Sequence, residues 1–61
     1  MRFQTKKTEN GIEIFDHLRI MNLVIDYSWH EYKIDQVVGE FCNDKESYVF
    51  VYRALFLGLK K

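Results

Sequence analysis

Proline is absent from this chain, cysteine occurs once and glycine only three times. A single cysteine excludes an internal disulfide, so no cross-link supplies stability. Without proline no segment is marked as a stiff linker. Gly11, Gly39 and Gly58 stand alone, so there is no glycine-rich loop to cradle a phosphate. Net charge is missing too, since nine Lys and Arg balance nine Asp and Glu; that removes any global field steering the protein to nucleic acid or an anionic membrane. No apolar run approaches the roughly 18 residues of a membrane span. No secretory apolar region follows the basic start at Met1 and Arg2, which points to a reducing, cytoplasmic setting.

What the chain does contain is apolar. Hydrophobic residues fill 48% and aromatics 16% of its 61 positions, too many for disorder, and they imply one small domain over 1–61. A chain this short buries only about 60% of the surface its unfolded form exposes. Small domains offset that with disulfides, a metal or a second subunit, so association with another copy or another protein is the expected staple. Charge is unevenly placed. The acids, Glu9 through Glu46, lie in the middle, while Arg2, Lys6 and Lys7 sit at one end and Arg53, Lys60 and Lys61 at the other.

Three stretches place a cap-type residue three positions before a glutamate: Asn10 with Glu13, Ser28 with Glu31 and Asn43 with Glu46. In such a box the first side chain accepts from a free backbone N–H of the first turn, and the glutamate reaches back. The pattern predicts helices over 11–27, 29–41 and 44–60, a mainly α three-helix domain with residues 1–9 as a basic extended arm. The middle helix is the clearest, because Ile34, Val37, Val38 and Phe41 follow i, i+3, i+4, i+7 spacing and leave Trp29 and Tyr32 on the opposite side. In the last helix Glu46, Arg53 and Lys60 form a narrow polar stripe, and apolar residues cover nearly everything else. Two small neighbouring helices cannot enclose such a surface.

Two other readings compete. Asn10 followed by Gly11 is the favoured pair of a type I′ turn, Phe3 to Glu9 reads as an incoming strand, and Met21, Leu23, Ile25 and Tyr27 alternate as a half-buried strand does. This is an α+β arrangement with an N-terminal hairpin and two C-terminal helices. A small β-barrel is the third reading, since Tyr48 to Tyr52 is rich in strand formers, although three glycines are few for its turns.

Groups for chemistry are sparse. His30 and Glu31 begin like a zinc-helix motif, but the second histidine position holds Ile34. His17, His30 and Cys42 show no metal-ligand spacing. Cys42 lies about 18 Å along a helix from His30, too far for a nucleophile and its base. No catalytic residue, metal or cofactor is expected, and the chain reads as a non-enzyme.

Recognition remains. Tryptophan and tyrosine turned to solvent are interface anchors, which makes Trp29, Tyr32, Tyr48, Phe50 and Tyr52 candidate partner-binding residues in contact with another protein or with a second copy in a homodimer. The alternative is a small dimeric DNA-binding regulator whose basic ends, Arg2, Lys6, Lys7, Arg53, Lys60 and Lys61, contact phosphates. A very short, tyrosine-rich, proline-free chain is similar in style to small proteins of phages and mobile elements, which bind and inhibit or redirect a host protein. That likeness implies a regulator or inhibitor that occupies a host surface.

Overall fold

The computed structural model describes residues 1–59 and is α+β. Strands β1 (Phe3–Lys7), β2 (Gly11–Asp16) and β3 (Met21–Asp26) precede helices α1 (Glu31–Phe41) and α2 (Lys45–Leu59). The strands form an antiparallel sheet in the order β1-β2-β3. Both helices lie on the same face of it, α1 against β3 and α2 against β2. The mainly α class and the helix over 11–27 are therefore corrected, and the hairpin with two C-terminal helices is the fold. The extended arm is strand β1, paired along its length with β2.

The reason is a period of two. Ile12 stands opposite Ile25 and Ile14 opposite Leu23, all four buried beneath the helices with Phe3 of β1. Glu13, Phe15, Asn22 and Val24 fall between them, on the face without helices. Asn10 closes a hairpin and caps no helix. No described glycine has positive φ, so the turn is not type I′. Gly11 is required for another reason, since a Cβ there would collide with the carbonyl of Ile25 across the ladder.

The two predicted C-terminal helices are present with their starts shifted. Val38 and Phe41 of α1 are buried, and Ile34 and Val37 pack half-buried beside them. Ser28 does not cap α1, because its N–H and hydroxyl both donate to Asp26 Oδ1 at 2.8 Å. His30 is the cap, its Nδ1 accepting the N–H of Tyr32 at 3.1 Å. At α2 the cap is Asp44 rather than Asn43. Its Oδ1 accepts the Ser47 N–H at 2.9 Å and the Ser47 hydroxyl at 2.6 Å, and the box closes on a buried serine instead of Glu46. These bonds, followed by Arg2, lower the Asp44 pKa to about 2.

One charged group sits inside. Asp16, at the end of β2, is fully buried. Its carboxylate accepts both Nε and Nη2 of Arg2 at 3.0 Å, Nε of Arg19 at 2.7 Å and the N–H of Leu18 at 2.9 Å. Arg2 Nη1 continues to Asp44 at 3.0 Å and Glu46 at 2.8 Å, and the Arg19 guanidinium lies 5.0 Å above the Phe41 ring. The hydrogen bonds from Arg2, then those from Arg19 and the turn amides, hold Asp16 well below the usual carboxylate range.

Two expectations follow from these contacts. Asp16→Asn should cost about 3 kcal/mol, the lower end for one-sided loss of a buried pair, because Arg2 keeps Asp44 and Glu46; the urea midpoint at unchanged slope reads it. Both carboxyl pKa values lie below that of an unfolded aspartate, about 3.9. Their contribution is therefore complete above that pH and is lost as pH falls below it, so acid titration should destabilise wild type more steeply than the Asn variant. At the second helix start, Asp44→Ala should cost about 0.5–2 kcal/mol and Asn43→Ala much less; equal losses in thermal melts would overturn the shifted cap.

Candidate interaction surface

Helix α2 divides sharply around its circumference. Ser47, Val51 and Leu55 point into the sheet and are buried, with Phe50 and Ala54 beside them. On the far side Tyr48, Val49, Tyr52 and Phe56 are between 41% and 62% exposed. The spacing of Tyr48, Tyr52 and Phe56 makes this a single row along the helix. The rings of Tyr48 and Tyr52 run parallel within 7°, their centroids 6.4 Å apart. The Tyr52 hydroxyl donates to Asp35 Oδ1 at 3.2 Å, linking α2 to α1. Partial burial, with Asp35 next, raises the pKa of this phenol.

The other predicted partner-binding residues are dispersed. Tyr32 stands 79% exposed on α1, its ring stacked on His30. Trp29 precedes the helix, half-buried, with Lys33 Nζ 4.3 Å above its ring. Phe50 stacks on Phe3 at 4.6 Å and belongs to the packing beneath α2.

Among the described residues the basic side chains do not form one patch. Arg2 is engaged by three carboxylates. Lys6 and Lys7 alternate on β1 and so point to opposite faces, Lys6 standing opposite Glu13. Lys7 and Arg53 both line a groove of about 310 Å³ between β1 and α2, together with Ile12, Tyr27, Phe50 and Leu57. Lys60 and Lys61 lie outside the described residues. The Tyr27 hydroxyl, buried in this groove without a hydrogen-bond partner, rests where a Cβ on Gly58 would fall.

Set against protein-family models, curated proteins and solved structures, the chain matches none. Its function is therefore read from its own surface. Among the described residues no helix is long and apolar enough to cross a membrane, and no group of three or more His, Cys, Asp or Glu is placed to hold a metal ion. Cys42 is buried, and burial pushes its thiol pKa up, which disfavours the thiolate a nucleophile needs.

One exposed apolar region escaped the sequence reading. The β2–β3 turn presents Leu18 and Ile20 at 71% and 77% exposure, and Met21 and Val24 continue it along β3. The helical assignment hid them; the alternation of Leu23 with Ile25 was the signal, since it turns Val24 outward. Ile20 also has φ of 55°, left-handed backbone that a β-branched residue resists. Ile20→Asn should therefore raise stability by about 1 kcal/mol, since Asn tolerates this region and little burial is lost. A lower melting temperature for this variant would show that the side chain contributes packing.

Proposed function

We propose that the chain is a non-enzymatic protein-interaction module that works by covering a protein surface, and that the outer row of α2 is its contact, used first with a second copy. The observation that carries this is the alignment of Tyr48, Tyr52 and Phe56 on the side of α2 away from the sheet. A whole aromatic side chain can bury about 150–250 Å², so these exposures leave on the order of 300 Å² of ring surface, the size of the largest apolar patch on an ordinary monomer, which is often a functional one. Tyrosine suits the role because it removes much area from water with few rotatable bonds.

Charge supports a second copy as occupant. Glu46 and Arg53 lie two helical turns apart along one flank of the row. Two α2 helices packed antiparallel about a two-fold axis would set Arg53 of each against Glu46 of the other, whose carboxylate already accepts from Arg2 of its own chain at 2.8 Å and keeps its outer side exposed, with Tyr48, Val49 and Tyr52 at the centre. The phosphate-contacting alternative gains no comparable support, since Arg2 is occupied inside the fold.

Light scattering coupled to size exclusion should give a dimer mass at micromolar concentration. Tyr48→Glu should return the monomer mass with an unchanged far-ultraviolet spectrum. Arg53→Glu should weaken association by about tenfold, since it removes both symmetry-related charge pairs at about 0.7 kcal/mol each. Wild-type protein at monomer mass throughout would remove the self-association reading.

A further inference from the structure

The two edges of the sheet are built differently. The Thr8 N–H donates to Gly11 O and the His17 N–H to Arg2 O; with antiparallel alternation this leaves Phe3, Thr5 and Lys7 with their backbone groups directed away from β2. That edge carries Lys6 and Lys7, side chains that guard an open strand. On the other side the Tyr27 N–H donates to Asn10 O, so Ile25, Leu23 and Met21 bond to β2 while Asn22 and Val24 direct both N–H and C=O outward. From Met21 to Ile25 this edge has no charge, no proline and no bulge. Val24 is half exposed, and Ile20 and Met21 lead into it.

Beside this edge runs a groove of about 270 Å³, walled by Met21, Leu23 and Val24 on the strand and by Val37, Glu40 and Phe41 on α1. Its lining mixes these apolar side chains with a polar share that includes Asn22 and the exposed Glu40. We propose that the outer edge of β3, with the side of α1 that carries Val37 and Glu40, receives an extended peptide segment of another protein as a fourth strand. The backbone of Asn22 and Val24 would pair with the peptide. Its inward side chains, at every second position, would enter between Leu23 and Val37, and this calls for valine, isoleucine or leucine there.

Charge selects the flank of the ligand. The carboxylate at the groove is the exposed Glu40, so a lysine or arginine beyond the apolar positions complements it; Asp26, at the other end of the strand, already accepts from Ser28 and has Lys33 as a charged neighbour. A second β3 strand carries no basic residue between Met21 and Asp26 and so offers nothing to Glu40. The site therefore fits a foreign basic peptide better than another β3. It lies apart from the row on α2 and stands or falls independently of self-association.

The test uses the whole chain and a blocked heptapeptide, Lys-Val-Thr-Val-Thr-Val-Lys, followed by amide hydrogen exchange. The peptide should slow exchange at Asn22 and Val24 and leave Phe3, Thr5 and Lys7 unchanged. Val24→Pro removes an outward N–H that the sheet does not use, and it should weaken binding by about fivefold, as one lost hydrogen bond predicts. The same peptide N-methylated on alternate residues should fail against wild type, which covers the case in which the proline variant does not fold. Glu40→Lys should weaken binding of the basic peptide and strengthen that of a glutamate-ended analogue. No protection of Asn22 and Val24 at millimolar peptide would overturn the proposal. So would equal binding of the N-methylated peptide, or protection that rises with protein concentration alone, which assigns the edge to a second copy.

Discussion

A carboxylate with no access to water anchors this small domain. Asp16 ends the central strand, and every partner it holds belongs to a different part of the chain: Arg2 ahead of β1, Arg19 in the following turn and, through Arg2, the acids at the start of α2. Taking an ion out of water is costly unless its lone pairs are filled, and here two guanidinium groups and a backbone amide fill them. The arrangement does more than offset its own desolvation. It fixes the end of the sheet against the first turn of α2 and, through the ring of Phe41, against the last turn of α1. With no disulfide, the aliphatic layer of Ile14, Ile25, Val38 and Val51 is closed at one end by charge.

That same residue shows why part of the fold was hidden in the sequence. A strand is recognised by apolar residues at alternate positions, yet the inward series on β2 runs Ile12, Ile14, Asp16, and the third member reads as polar. Leu18 in the turn then joins Ile14, Phe15, Met21 and Ile25 in a false helical stripe, and Asn10 with Glu13 supplies a false start. The clean cases are those in which one face is buried throughout. Ile34, Val37, Val38 and Phe41 marked α1 correctly, and the start of α2 was found to within a residue.

Cap positions were legible in kind but not in place. The reading favoured a cap residue followed by glutamate, because that pair closes the box from both sides. The chain uses His30 and Asp44 instead, the second because Ser47 is buried and must satisfy its hydroxyl locally. For the surface, the tyrosines of α2 could be seen in advance, whereas Phe50 could not be told from them: on a helix apolar nearly all round, only the position of the sheet decides which rings are left outside. The basic ends misled in a similar way, since a formal charge in a sequence does not reveal whether a carboxylate already holds it.

Arg2 carries a further consequence. Met1 is 105% exposed, yet the side chain of its neighbour is only 13% accessible and is held by three acids. The boundary between tolerant and sensitive positions thus falls across a single peptide bond. A change of the Met1 side chain touches nothing the fold holds, whereas loss of the Arg2 guanidinium would strip the interior carboxylate of its main counter-ion and loosen the start of α2. Two adjacent residues at one margin of the sheet would then answer substitution in opposite ways.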